Sequence, residues 1–246
     1  MKKHSETGII RNITNFESLL SFISAYGERY NPSRESIKLK ALQNKLAECK
    51  FVMSKYENAH SAYTLAVDAR KLSFEPINKI ATKVINFLKS SESSALVDES
   101  VQSIVRKLRG SRPKRKPSDD DIKISAANGI EIRKHSTAQL GYDNKLDHFG
   151  NLITLLSKIP EYAPNEENLK IETLTKIYTS LIESNKTAIQ ASIQFELTRN
   201  ERNQLLYRPL TGLVDIAIDT KNYLKSIIGS ADPDYHQVCK LKFKSK

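Results

Sequence analysis

Tryptophan is absent from this chain, and cysteine and methionine occur only twice each. Cys49 and Cys239 cannot form the multi-bridge framework of a small secreted fold, and Cys49 sits among apolar helical positions where a thiol behaves as a small hydrophobe. Glycine and proline number eight each in 246 residues, too few for the turn density of an all-β chain. No apolar run approaches the ~20 residues of a membrane span. The opening Met1-Lys2-Lys3-His4-Ser5-Glu6 is not followed by the apolar stretch of a signal peptide. These features lead us to expect a cytoplasmic, all-α protein.

Acidic charge is also in deficit, with 28 Asp and Glu against 39 Lys and Arg, a formal net charge of +11. The excess is localised. The acid-free stretches around Arg106–Lys116, Lys240–Lys246 and Lys2–Lys3 carry thirteen positive charges, and without them the formal charge falls from +11 to −2. Basic character therefore belongs to a connector and the two ends, a pattern of linkers and tails rather than of a basic groove.

What the chain has in quantity is helical periodicity. From Ser33 to Lys71 neither glycine nor proline intervenes. Leu39, Leu42, Leu46, Cys49, Met53, Tyr56, His60, Tyr63 and Val67 recur in steps of three and four. That spacing holds one stripe against partner helices. The stretch predicts one helix of roughly 58 Å, capped at Ser33 or Asn31.

The pattern occurs twice. Tyr30, Pro32, Glu35, Lys38, Leu42, Ala59, Leu65 and Arg70 match Tyr162, Pro164, Glu167, Lys170, Leu174, Ala191, Leu197 and Arg202 at one constant offset without a gap. With small gaps, Phe16, Leu19 and Ser24 match Phe149, Leu152 and Ser157. Phe74 and Pro76 match Tyr207 and Pro209. Phe87-Leu88-Lys89-Ser90 matches Tyr223-Leu224-Lys225-Ser226. Three successive elements in one order predict an internal duplication of about 130 residues.

The expected architecture is an internally duplicated long-helix bundle, two units of three main helices in a pseudo-twofold relation. Residues 1–108 form helical repeat 1, with helices over Ile9–Ala25, Ser33–Lys71, Pro76–Ser90 and Leu96–Leu108. Residues 109–135 read as a basic and acidic linker, with weak alternation of Ile122, Ile124, Ile130 and Ile132 around Asn128-Gly129 that resembles a small hairpin. Residues 136–230 form helical repeat 2, with helices over Ser136–Lys158, Asn165–Leu205 and Leu210–Ile228. Residues 231–246 are a basic tail.

Two segments, Tyr142-Asp143-Asn144-Lys145-Leu146-Asp147-His148-Phe149 and Tyr207-Arg208-Pro209-Leu210-Thr211-Gly212-Leu213-Val214-Asp215 with the following Lys221-x-Tyr223-Leu224-Lys225-Ser226, resemble an uncharacterised family of two-repeat bacterial helical proteins. The resemblance implies a helical fold over most of the chain and no assigned activity, so it transfers no functional residue.

Reactive motifs are missing. No His-Glu-x-x-His, phosphate loop, nucleophile elbow or dinucleotide fingerprint is present. Asp119, Asp120 and Asp121 lack the spacing of a calcium loop. His236 and Cys239 supply two ligands where a zinc site needs four. His60 reads as a core residue and His148 as a surface cap. Catalytic residues, cofactors and metals are therefore expected to be none. The reading that remains is a non-enzymatic scaffold or interaction protein with a protein partner or self-association. The alternative is non-specific nucleic-acid binding through Arg109, Arg112, Lys114, Arg115, Lys116, Lys240, Lys242 and Lys244.

Overall fold

The computed structural model describes residues 6–110, 141–229 and 232–245. Helices α1 Glu6–Tyr26, α2 Leu39–Phe74, α3 Ile77–Ser90 and α4 Ala95–Leu108 precede the undescribed stretch. α5 Tyr142–Leu156, α6 Ile171–Tyr207, α7 Leu213–Ile228 and α8 Pro233–Lys240 follow it. No strand occurs among the described residues. The hairpin expected around Asn128-Gly129, most of the linker and the first residues of the helix expected from Ser136 lie outside them.

The long helices start later than their periodicity suggested. Glu35–Ile37 and Glu167–Leu169 are single 3-10 turns, and Lys38 (ψ 146°) and Lys170 (ψ 143°) are extended. Only then does α-helical bonding begin, from Leu42 N–H to the Lys38 carbonyl and from Leu174 N–H to the Lys170 carbonyl, both at 3.0 Å. The cause is a side chain seven residues upstream. The Tyr30 hydroxyl donates to the Ile37 carbonyl at 2.5 Å, and the Tyr162 hydroxyl donates to the Leu169 carbonyl at 2.7 Å. Each carbonyl is thereby satisfied without a helical partner, and Ile37 and Leu169 are buried. Lys38 and Lys170 close the turns with ion pairs to Glu35 and Glu167. Ser33 and Asn31 are not caps.

The last long element is also displaced. Pro209 leads a turn, not a helix, and α7 begins at Leu213. Leu210 is left-handed (φ 66°), and Gly212 donates to the Arg208 carbonyl at 2.7 Å. A Cβ on Gly212 would come within 2.7 Å of Arg208 backbone atoms, so only glycine fits this corner.

The chain divides into two compact units. The first joins Met1–Thr64 with Ala191–Lys246, and the second is Leu65–Gln190. The division therefore falls inside α2 and α6. Each long helix outruns a single core, so its two halves bury their stripes against different neighbours.

In the first unit, Phe16, Leu19, Ile23 and Leu42 pack with Leu206, Leu213, Ala217, Leu224 and Val238. Arg34 pairs with Asp219 at 2.6 Å, and Lys55 with Glu201 at 2.6 Å. In the second unit, Phe74, Ala81, Val84 and Leu88 pack with Val101, Leu108, Phe149, Leu152, Leu156, Leu174 and Leu181. Gly150 lets the Tyr178 ring approach, since a Cβ there would stand 3.0 Å from it.

Candidate functional site

The basic residues proposed for nucleic-acid contact are held in different settings. Arg112, Lys114, Arg115 and Lys116 lie outside the described residues. Arg109 ends α4, and its guanidinium donates to the Thr82 hydroxyl at 2.5 Å. It therefore ties α4 to α3 in the second unit.

The C-terminal segment is a docked element of the first unit rather than a plain tail. α8 has Asp232 as its N-cap and Pro233 in its first turn, and it buries Tyr235 and Val238. Beyond it, Leu241 and Phe243 pack on the core while Lys240, Lys242 and Lys244 are exposed. Side chains here alternate as in an extended strand. Asn15 donates to the Lys242 carbonyl at 2.8 Å, and fully buried Asn12 exchanges two hydrogen bonds with the Lys244 main chain. Lys221 donates to the Leu241 carbonyl at 2.8 Å, and burial lowers its pKa. The alternation of lysine with Leu241 and Phe243 was the sequence signal for this docking.

An aromatic cluster occupies the first unit. The Phe195 ring lies 5.4 Å from Tyr63 in a stacked arrangement, 5.3 Å from Tyr56 and 5.1 Å from His60. The Arg202 guanidinium covers the Tyr56 ring at 3.9 Å. His60 is exposed, contrary to its expected place in the core. The seam of α2 turns outward at this point, and the imidazole lies on the flank of the cluster. In the second unit, Arg70 covers Tyr142 at 4.1 Å and donates to Asn185 at 3.1 Å. Asn185 in turn donates to Asp143 at 2.7 Å. Such bonds satisfy Asn185 in its buried position.

Large apolar side chains remain in solvent on the long helices. In the second unit these are Leu65 (70% exposed) and Leu72 (66%) on α2, with Ile182 and Ile189 on α6. In the first unit they are Phe51 on α2, with Ile193 and Leu197 on α6. Single exposed leucines are ordinary, but Leu65, Ala69 and Leu72 follow a four-and-three spacing that sets them in line on one helix face.

Cys49 is buried, and burial pushes its thiol up to about 12. Cys239 is exposed. No group of three His, Cys, Asp or Glu side chains able to hold a metal ion occurs among the described residues. No helix of the described residues is long and apolar enough to cross a membrane. Compared with protein-family models, with curated proteins and with solved structures, the chain matches none.

Proposed function

We propose that this protein is a non-enzymatic, cytoplasmic helical scaffold that engages a protein partner through a helix face. The exposed line of Leu65, Ala69 and Leu72 on α2 carries the reading. Apolar groups repeated on a rigid helix make a ready docking stripe. The small Ala69 between two leucines leaves a hole for a side chain of an incoming helix. The partner that suits it is an amphipathic helix with a leucine-rich stripe of the same spacing.

We also infer that the chain is an internal duplication. Matched residues support this by making matched interactions. Tyr30 and Tyr162 hold the carbonyls of Ile37 and Leu169, and their rings meet Tyr223 and Phe87 edge-on at 5.4 and 5.3 Å. Tyr223 and Phe87 are themselves matched in sequence. Arg70 and Arg202 each cover a tyrosine ring, though Tyr142 and Tyr56 are not themselves matched positions. Each compact unit is then assembled from the beginning of one repeat and the end of the other.

A photo-crosslinking residue placed at Ala69 tests the scaffold reading, with the same group at exposed Glu99 as control. The expected result is one adduct whose crosslinked peptide is an amphipathic helix, formed from position 69 alone and lost in Leu65→Lys/Leu72→Lys. Adducts that survive the double substitution, or form equally at Glu99, overturn it. An adduct to a second copy reassigns the face to self-association. Binding of a DNA duplex tighter than about 1 μM at physiological salt promotes the nucleic-acid reading instead.

A further inference from the structure

In the second unit, α4 and α5 frame an open, groove-like cavity of about 370 Å³ whose Lys107, Asn151, Thr154 and Lys158 are exposed. Lys107 enters from the last turn of α4, His148, Asn151 and Thr154 from α5, and Lys158 from just beyond α5. Ile104 and Leu155 form its apolar wall.

His148 is the unusual member. It lies well inside α5, is only 8% exposed, and its Nε2 is buried without a hydrogen-bond partner. Its Nδ1 stands 3.7 Å from the Asp147 carboxylate, too far for a hydrogen bond. The surface cap expected from sequence is therefore not its role. A buried ring nitrogen left unpaired is unfavourable.

The surroundings show what kind of ligand the space would take. Among the described residues no carboxylate lines the cavity. The neighbouring Asp147 is exposed and already accepts from the Asn151 amide at 3.2 Å. Lys107 and Lys158 form no ion pair among the described residues. Both stand near helix C-termini, whose partial negative charge offsets some of their field, but two whole charges outweigh two partial ones. The cavity thus collects two ammonium groups, an imidazole, a hydroxyl and an amide hydrogen.

We propose that this cavity binds the phosphate group of a small phosphomonoester. A phosphate dianion matches two ammonium groups in charge and offers three acceptor oxygens to those ammonium groups and the Thr154 hydroxyl, with the His148 ring in the adjoining wall. A carboxylate brings one charge and two oxygens, leaving donors idle. The volume exceeds that of phosphate alone, and Ile104 and Leu155 provide a surface for the organic part.

The test uses the full-length chain at fixed pH and ionic strength, titrated with inorganic phosphate, phenyl phosphate or succinate against chloride. The readout is the ring-proton resonance of His148, assigned among the five histidines with His148→Gln. A saturable shift is expected with phosphate in the millimolar range, at lower concentration with phenyl phosphate, and not with succinate. Lys107→Ala/Lys158→Ala should weaken it about tenfold or more while leaving the ligand-free melting temperature unchanged, since both lysines are exposed. Absence of saturation, an equal response to succinate, or unaltered affinity in the double variant overturns the proposal.

Discussion

Asn12 and Lys244 are 232 residues apart and share two hydrogen bonds. The Asn12 amide donates to the Lys244 carbonyl at 2.9 Å, and the Lys244 N–H donates to the Asn12 Oδ1 at 2.9 Å. One side chain thus reads the main chain of another segment as a neighbouring strand would, and no side chain of the docked segment is needed for the match.

Asn12→Ala should therefore release that segment. The expected loss is about 1–3 kcal/mol, the scale of buried hydrogen-bonding groups left without partners. Urea denaturation measures it. Carboxypeptidase digestion followed by mass spectrometry should remove residues 241–246 faster from the variant than from the parent. Asn15→Ala, whose bond to Lys242 is exposed, should cost less.

Tyr30 and Tyr162 should make the protein sensitive to alkali. Burial, the larger cause for both, pushes each hydroxyl up to about 12 from an ordinary value of 10.0. Because the folded pKa is the higher one, the unfolded chain loses its protons first. Stability is full below about pH 10 and falls as the pH rises from 10 toward 12. Circular dichroism against pH should show helix loss in that window. Tyrosinate absorbance should rise in step with it. Tyr30→Phe and Tyr162→Phe should each cost about 1 kcal/mol at neutral pH and flatten the alkaline slope.

The two thiols should differ sharply. Cys239 is exposed, whereas Cys49 is buried with its thiol pushed up to about 12. A disulfide reagent at pH 8 should modify one thiol in the native protein and two after unfolding in guanidinium. Prompt reaction of both would show that the α2 seam opens readily.

Along α2 the costs of truncation should follow burial. Leu42 is fully buried, and Leu42→Ala should cost about 2–5 kcal/mol. Leu46 and Lys45 are only half-buried, so Leu46→Ala and Lys45→Ala should each cost less than Leu42→Ala, the second also losing the 3.2 Å pair with Glu48. Chemical denaturation midpoints of the three variants provide the comparison.

The stripe through Leu42, Cys49 and Tyr56 was legible because helical spacing and burial are the same fact seen twice. The late starts of α2 and α6 were not legible. Nothing in Glu35-Ser36-Ile37 breaks a helix locally; the break comes from the Tyr30 hydroxyl reaching the Ile37 carbonyl. His60 and His148 were each read in the wrong setting for a related reason. Position on a periodic stripe does not say where the covering partner ends, and an acidic neighbour does not say which way a ring turns. The C-terminal alternation of Leu241 and Phe243 with lysines is a readable period of two, but three residues of alternation are too short to tell a docked strand-like segment from a charged tail. Which half of a long helix belongs to which core lay beyond any local pattern, since it depends on residues more than a hundred positions away.

That last feature governs how the protein can be made. The second unit is one uninterrupted stretch, Leu65–Gln190, so every residue of its core has been synthesised before Ala191 is added. The first unit has no such convenience. Phe16, Leu19 and Leu42 emerge early, and their partners Leu213, Ala217, Leu224 and Val238 come last. For most of synthesis the apolar face of α1 has no permanent cover. A nascent chain stalled within α6 would expose that face, and it is the stage at which a holding chaperone would find most to bind.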